Sequence, residues 1–362
     1  MEIFNRVLKV AIDGGASDIH IKIGAPIIVR IDGQLIPIEA PKPTSEWMSR
    51  VLDNIVPKHL NERLEKEREI DFSYYAEGLG RFRTNLFQQK GSFCLAMRYV
   101  KTDIPSFEEL GLLPKLKEIS MEPRGIVIVS GTTGCGKSTT LAAMLQQINS
   151  SVAKHIITLE DPIEFVFTDN QSVIEQREIG LDSLSFPAGL KHILRQDPDV
   201  IMIGEMRDSI SFSAAMSVAD TGHLVLSTLH TTNASQSITR VLDFFQPEER
   251  DQIRRQLAST LKAVICQRMV SKVKGGVIPA IEIMINTPTV RKLIEENRLD
   301  KLAAAIETGV EDGMQNFNQA LFQLVKDRVV SESEALSKAT NAKALEMNFQ
   351  GIFLDEGKRI LS

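Results

Sequence analysis

The sequence lacks several features that would assign it to common protein classes. It has no apolar run near the 18 residues that a membrane-spanning helix requires, and residues 1–12 carry charges but no small-residue cleavage site. Its three cysteines, Cys94, Cys135 and Cys266, match neither a disulfide framework nor a paired-cysteine zinc site. We therefore expect free thiols in a reducing compartment and a cytoplasmic protein.

An excess of positive charge is also missing. Lys and Arg number 42 against 47 Asp and Glu, so the net charge is −5, which disfavours binding of nucleic acid through its phosphates. The chain of 362 residues is 43% hydrophobic and 25% charged, close to soluble globular averages and long enough for two domains. We expect a globular protein without a nucleic-acid partner; the alternative, a nucleic-acid motor, predicts salt-sensitive strand binding.

Residues 1–100 predict a small α+β domain. Apolar residues recur at helical spacing over 3–11, and Asp32-Gly33 is a typical hairpin turn between two apolar stretches. Two further predicted strands, 80–88 and 92–100, complete the domain.

A different pattern, apolar strands alternating with helices, begins at Arg124. Continuous apolar strands separated by helices are typical of a parallel sheet covered on both faces, so we predict an α/β core over 124–288. Scattered Pro, Gly and charge predict a linker over 101–123 with a short helix around Phe107–Leu110, and the pattern of 289–362 predicts a helical C-terminal region. The predicted core strands are 126–129, 155–159, 200–203 and 224–229.

Residues 131–138, GTTGCGKS, match the phosphate-binding loop (P-loop) pattern G-x-x-x-x-G-K-[ST]. The loop lies between a predicted strand and a predicted helix, so backbone N–H groups and the helix N-terminus can surround a phosphate. We expect Lys137 to reach the β/γ oxygens of ATP and Ser138 to ligate Mg²⁺. The loop residues expected to bind the nucleotide are Thr132, Thr133, Gly134, Cys135, Gly136, Lys137, Ser138 and Thr139.

Carboxylates follow two other predicted strands. Glu205 ends the segment DVIMIGE and is expected to hold Mg²⁺ through water. An acidic cluster, residues 160–164, follows the strand 155–159 at the sheet edge that also carries the P-loop. One of its carboxylates is expected to position the attacking water; the alternative is surface charge at a strand end.

Two histidines, His223 and His230, bracket the strand 224–229. A zinc site would need two more ligands nearby, which the sequence does not offer. The histidines are therefore either a γ-phosphate sensor or ordinary polar strand ends.

Four longer segments contain these motifs in order: GTTGCGKSTTLAAM (131–144), IITLEDPIEFVF (156–167), QDPDVIMIGEMRD (196–208) and TGHLVLSTLHTTNA (221–234). They resemble the Walker A, Asp box, Walker B and His box of the type IV pilus retraction ATPases of the PilT type, in the secretion ATPase superfamily. The likeness extends from GGASDIHI at residue 14 to GMQNFNQAL ending at residue 321, and it implies a RecA-like core with an N-terminal PAS-like domain.

The resemblance implies a role for each of these polar residues. Glu164 would be the catalytic base for water, Glu205 would organise Mg²⁺, and His230 would sense the γ-phosphate, with His223 near the nucleotide. Family members are hexameric rings in which the N-terminal domain offers arginines to the nucleotide of a neighbouring subunit. An interface salt bridge is the alternative for each arginine. The candidates are Arg81, Arg83 and Arg98.

The P-loop departs from the family at Cys135, where Ser is usual. A thiol near a helix N-terminus and Lys137 is expected to have a lowered pKa, so we expect Cys135 to be the most readily alkylated cysteine. The alternative is that its side chain turns away from the nucleotide.

A second departure is the segment 289–296, TVRKLIEE, which is similar to the retraction motif AIRNLIRE but differs at four positions. It leaves open an accessory ATPase of the PilU type. Its apolar residues at helical spacing are also consistent with core packing of a helix.

Together these features predict a homo-hexameric, Mg-dependent ATPase that powers type IV pilus retraction, and so twitching motility, at the cytoplasmic face of the inner membrane. The expected partner is an inner-membrane pilus platform protein, and a paralogous retraction ATPase is a further candidate partner. One competing function is an accessory nucleotide-binding ring with little turnover. Another is a pilus assembly ATPase, but ATPases of that kind are longer chains that carry a four-cysteine zinc site.

Overall fold

The computed structural model describes residues 1–31, 33–100 and 102–352. Asp32 of the expected hairpin turn, Lys101 of the expected linker and residues 353–362 of the expected helical C-terminal region lie outside the described residues.

Contacts divide the chain into two compact units. Two short segments from the middle of the sequence join the N-terminal residues in the first unit, which comprises Met1–Asp103, Pro162–Val166 and Glu178–Asp182. The second unit contains Ile104–Asp161, Phe167–Arg177 and the described residues from Ser183 onward.

The first unit is built on a six-stranded antiparallel sheet of order β3-β2-β1-β6-β5-β4. Helices provide the other side of its core. The elements are α1 (Glu2–Asp13), β1 (Asp18–Lys22), β2 (Ile28–Ile31), β3 (Gln34–Pro37), α2 (Ser45–Ile55), α3 (Asn61–Glu67), β4 (Glu69–Ala76), β5 (Gly80–Gln89) and β6 (Ser92–Tyr99).

Side-chain spacing explains why these elements pack together. The buried residues of α1, Phe4, Val7, Leu8 and Ala11, lie on one face at i, i+3, i+4 and i+7. Strand β5 buries alternate residues, among them Phe82 and Leu86, so its intervening side chains lie on the other face of the sheet. The predicted α+β character of this region is confirmed.

The second unit contains a seven-stranded sheet of order β13-β12-β7-β11-β10-β8-β9. Its elements up to the last strand are α4 (Phe107–Leu110), α5 (Pro114–Ser120), β7 (Gly125–Gly131), α6 (Lys137–Ser151), β8 (His155–Glu160), β9 (Val173–Glu178), α7 (Phe186–Ile193), β10 (Val200–Ile203), α8 (Ser209–Asp220), β11 (Leu224–Leu229), α9 (Ala234–Asp243), α10 (Arg250–Thr260), β12 (Leu261–Ser271) and β13 (Val277–Ile285).

The central strands of this sheet run parallel. Pairs β12–β7, β7–β11, β11–β10 and β10–β8 are parallel, whereas β13 is antiparallel to β12. Every residue of β7, β10 and β11 is buried, because helices cover both faces. The predicted α/β fold is confirmed, and the carboxyl ends of the parallel strands meet at one edge, where the predicted motifs lie.

The segment that was expected to be a linker packs into this unit instead. Ser106 and Glu109 form a capping box that starts α4, and α5 follows within four residues of its end. Phe107, Leu116 and Ile119 are buried in the core of the unit. The short helix predicted around Phe107–Leu110 is present as α4, whereas α5 was not predicted.

Helices follow β13, as the C-terminal pattern predicts. Among the described residues, no helix combines the length and apolarity that crossing a bilayer would take. The remaining helices are α11 (Pro288–Glu295), α12 (Leu302–Thr308), α13 (Phe317–Lys326), α14 (Glu332–Lys338) and α15 (Ala342–Phe349).

Candidate active site

The P-loop connects the end of β7 to the start of α6, and its glycines are required by its shape. Gly134 and Gly136 have φ angles of 79° and 86°, which residues with side chains rarely adopt. A Cβ atom on Gly131 would collide with the Cys135 thiol and lie 2.7 Å from the carbonyl oxygen of Gln267. The pattern that identified the loop in the sequence is thus a steric requirement of the observed backbone.

Lys137 opens α6 and is buried, with 9% of the residue exposed. Its Nζ donates to the carbonyl oxygens of Gly131 at 3.0 Å and Thr132 at 3.1 Å. These acceptors are neutral, and a bound phosphate would offer charged ones that make stronger hydrogen bonds. The loop therefore holds the ammonium ready for an anion.

Of the other residues expected to bind the nucleotide, Thr132, Thr133 and Gly134 are exposed, and Gly136, Ser138 and Thr139 are half-buried.

Strand β12 supports the P-loop from the side. The Gln267 side chain donates to Thr140 Oγ1 on α6 at 2.8 Å, in a buried environment. Ser130 Oγ at the end of β7 donates to Cys266 Sγ at 2.9 Å, and burial raises the pKa of the Cys266 thiol strongly. These contacts fix both ends of the loop to the sheet.

The structure brings Glu205 and His230 together. They follow the adjacent strands β10 and β11, and His230 Nε2 lies 3.3 Å from Glu205 Oε1. The other carboxylate oxygen, Oε2, accepts a hydrogen bond of 2.8 Å from Arg207. The hydrogen bond and the charge of Glu205 raise the pKa of Arg207.

Arg207 is a site residue that the sequence reasoning missed. Its side chain is 65% exposed, yet its guanidinium engages the carboxylate of Glu205, which is 24% exposed. The sequence feature that could have identified Arg207 is a basic residue two positions after Glu205, in GEMRD.

The side chains at this edge fit Mg²⁺ carried by a nucleotide. Among the described residues, no cluster of three or more His, Cys, Asp or Glu side chains could hold a metal ion. Mg²⁺ keeps several waters and is usually held by one or two protein oxygens together with substrate phosphates. The hydroxyl of Ser138 and the carboxylate of Glu205 are oxygen donors of this kind.

The acidic cluster that follows β8 separates into two environments. Glu160 is buried and accepts hydrogen bonds from Thr158 Oγ1 at 2.6 Å and Gln176 Nε2 at 3.1 Å, so it serves the sheet. Asp161 and Glu164 are exposed, and Glu164 lies in the segment Pro162–Val166 of the first unit.

The three candidate arginines have different surroundings in the first unit. Arg98 Nε donates to Asp18 at 2.8 Å, and Arg81 donates to Glu178 at 2.8 Å with only 18% of its side chain exposed. Arg83 is exposed and forms no ion pair with any residue that the structure describes. Arg83 is therefore the candidate whose charge is available to another molecule, whereas Arg81 and Arg98 have partners within their own unit.

Within one subunit, His223 lies at the end of β11 opposite to the P-loop, so the fold gives no support to its expected place near the nucleotide. His223 precedes β11 and His230 follows it, so the two rings stand at opposite edges of the sheet, roughly 20 Å apart at the rise of a strand. His223 Nδ1 lies 3.0 Å from the carbonyl oxygen of Val218 and 3.1 Å from Thr221 Oγ1. These local contacts fit the alternative interpretation, in which His223 is an ordinary polar residue at a strand end.

The structure also disfavours the expected reactivity of Cys135. The residue is 3% exposed, and its thiol faces Gly131 rather than solvent. Burial raises the pKa of the thiol and outweighs the opposing effects of Lys137 and of backbone hydrogen bonds. Cys94 and Cys266 are buried, as expected, so exposure does not distinguish the three cysteines.

Comparison with known proteins places these motifs in context. A family model described as type II/IV secretion system protein matches residues 1–334. The type IV pilus retraction ATPase PilT of Pseudomonas aeruginosa is 41% identical over 90% of this chain and 94% of its own length. The type IV pilus ATPase PilU of the same organism is 36% identical over 95% and 90%. A crystal structure of the pilus retraction motor PilT with bound ADP matches with a TM-score of 0.87 and 40% identity, covering 94% of this chain and 98% of that one.

Proposed function

The chain belongs to the type II/IV secretion system protein family. From this membership and from its similarity to the PilT retraction ATPase, we propose that it is an Mg-dependent ATPase motor that powers type IV pilus retraction. One observation carries the ATPase part of the proposal: the P-loop with its buried Lys137 and the Glu205–His230 pair follow parallel strands of one sheet at the same edge. This arrangement, in a RecA-like core, suits ATP hydrolysis.

Each group has a distinct part in the proposed reaction. The P-loop amides and Lys137 bind the phosphates, and Ser138 and Glu205 would hold Mg²⁺, which when bound neutralises charge on the β- and γ-phosphates. Glu164 takes a proton from the attacking water, so that the oxygen can bond to phosphorus as the bond to ADP breaks. His230, paired with Glu205, detects whether a γ-phosphate is present.

Arg83 of a neighbouring subunit is proposed to complete the site. Its exposed guanidinium has no ion-pair partner among the described residues, and a planar cation can offset charge that spreads over the phosphoryl oxygens. This role requires a ring, which we propose is a homo-hexamer. We further propose that the ring docks on an inner-membrane pilus platform protein from the cytoplasmic side.

An accessory role is the second candidate, because the segment 289–296 differs from the retraction motif and the chain is also similar to PilU. In the structure Val290, Leu293 and Ile294 are buried on one face of α11, so the retained Leu293 and Ile294 and the altered Val290 all serve core packing. The four altered positions thus leave the helix intact. Measured turnover separates the two candidates, since an accessory ring would hydrolyse little ATP.

Two variants of the purified protein test the division of roles. Lys137→Ala should lose both nucleotide binding and turnover. Glu164→Gln should retain bound ATP but hydrolyse it at least 100-fold more slowly, because the water is no longer activated. Glu175→Gln, an exposed carboxyl-to-amide change on β9, is the matched control and should leave turnover unchanged. Equal loss of ATP binding in the Lys137 and Glu164 variants would contradict the assignment.

Subunit mixing tests whether Arg83 acts in trans. Arg83→Ala and Lys137→Ala rings should each be inactive, but mixed rings contain some interfaces with one intact half from each variant, so part of the activity should return. No recovery at any mixing ratio, with ring assembly verified by light scattering, would count against this role.

A further inference from the structure

A buried carboxylate outside the nucleotide-binding edge, Glu178, organises part of the first unit. It is 4% exposed. Its Oε1 accepts a 2.6 Å hydrogen bond from Ser73 Oγ, and its Oε2 accepts one of 2.8 Å from Arg81 and one of 3.1 Å from the backbone N–H of Ile163. We name Ser73, Arg81, Glu178 and the Ile163 amide the Glu178 clamp.

The clamp connects the segment that carries Glu164 to the N-terminal sheet. Ser73 lies on β4 and Arg81 on the adjacent strand β5, while Ile163 immediately precedes Glu164 in Pro162–Val166. Ile163 is 3% exposed, so its side chain anchors the backbone at this point. The next residue, Glu164, is exposed to solvent. A fixed Ile163 amide therefore holds in place the backbone from which the Glu164 side chain extends.

We propose that Glu178 and Arg81 are positioning residues for Glu164, and that Arg81 acts inside its own subunit. This inference rests on the proposed role of Glu164 as the base. Displacement of a reacting group by about 1 Å can cost about 100-fold in rate, so the base needs a rigid support. A carboxylate that accepts from a hydroxyl, a guanidinium and a backbone amide supplies it, because charge-assisted hydrogen bonds are short and directional.

Steady-state hydrolysis of Mg-ATP by the full-length ring tests the clamp. Glu178→Gln places an amide N–H₂ beside the hydrogen-bond donors of the clamp, so the clamp holds Glu164 less rigidly. We expect kcat to fall about 10- to 100-fold while KM for ATP stays within about 2-fold of the wild-type value. The matched control is Asp71→Asn, an exposed carboxyl-to-amide change on β4, whose side chain accepts from Asn85 rather than from the clamp. It should leave both constants unchanged.

Combination with the base variant separates positioning from general damage. In a Glu164→Gln background the base is already missing, so adding Glu178→Gln should lower kcat by less than 2-fold. If the two losses multiply, or if Glu178→Gln leaves kcat unchanged while Glu164→Gln lowers it, the clamp inference is overturned and the proposed function stands. If Glu164→Gln does not lower kcat, the base assignment fails, and the clamp inference falls with it.

Milder variants keep the test decisive if Glu178→Gln does not assemble. Ser73→Ala removes one hydrogen bond and keeps the ion pair, and it should lower kcat about 3-fold without adding to the effect of Glu164→Gln. Arg81→Lys retains the charge and should retain more activity than Arg81→Ala. Equal kcat in the two Arg81 variants, at wild-type level, would contradict the inference.

Discussion

Arg268 on β12 gives the most quantitative prediction. Its guanidinium lies 3.8 Å from the centre of the Phe317 ring, and it donates to the carbonyl oxygens of Lys338 at 2.8 Å and Thr232 at 3.3 Å. Burial lowers the pKa of Arg268, while the buried carboxylate of Glu282 opposes this. Arg268 therefore links the loop that follows His230 to the C-terminal helices.

Replacing Arg268 with Ala should destabilise the second unit strongly. A partly desolvated cation–π contact contributes about 1–2 kcal/mol, and hydrogen bonds from a charged donor contribute about 1.5 kcal/mol each. Removing the cation also removes its favourable electrostatic influence on Glu282, which is 7% exposed. We expect a loss of about 3–5 kcal/mol, the sum of the cation–π contact and the two hydrogen bonds, and a fall in Tm of roughly 10 °C.

Differential scanning calorimetry of the nucleotide-free protein measures this loss. Arg240→Ala is the matched control, because Arg240 stacks on Phe244 at 5.0 Å but is exposed, and it should lower Tm by less than about 2 °C. Adding Glu282→Gln to Arg268→Ala should recover about 1–3 kcal/mol, since the unpaired buried charge is removed. A Tm change for Arg268→Ala no larger than the control, or no recovery in the double variant, would refute the reasoning.

Further predictions concern charge, thiol reactivity and the P-loop. Burial alone would raise the pKa of Asp18, but hydrogen bonds from Ser17 and Arg98 hold the pKa below its usual value. Asp18→Asn should therefore lower the free energy of unfolding, measured in urea, by about 0.5–1 kcal/mol above about pH 4. This difference between the variant and the wild type should vanish as the pH falls through the lowered pKa. Maleimide should label Cys135 at least 10-fold more slowly in the native protein than in urea, and fast native labelling by mass mapping would contradict the burial. Gly131→Ala should abolish binding of a fluorescent ATP analogue, because its Cβ would collide with Cys135.

Local patterns were sufficient to predict the elements that frame the nucleotide. The strand before the P-loop and the strand before Glu205 were predicted within two residues, because buried parallel strands are continuous apolar runs. Strand β4 was missed because its buried residues, such as Ile70 and Phe72, alternate with charged ones and directly follow a charge-rich helix. Alternation over so few residues does not distinguish an edge strand from a solvated helix face.

Side-chain partnerships over long sequence distances were not predictable. Arg81 and Glu178 are 97 residues apart. Even the pair of Arg207 and Glu205, two residues apart, depends on a turn that no periodicity encodes. The separation of His223 from His230 was predictable, because the two residues bracket one predicted strand and must lie at its opposite ends. Only the family resemblance placed both of them near the nucleotide.

The central claim, that ATP hydrolysis by this protein drives pilus retraction, is tested most directly by deleting its gene in its own host and scoring surface pili and twitching together. Complementation with the wild-type gene and with Lys137→Ala provides the positive and negative controls. The account predicts loss of twitching with an excess of surface pili, restored only by the wild-type gene. Cells without pili would instead show that the protein serves assembly, and would contradict the account.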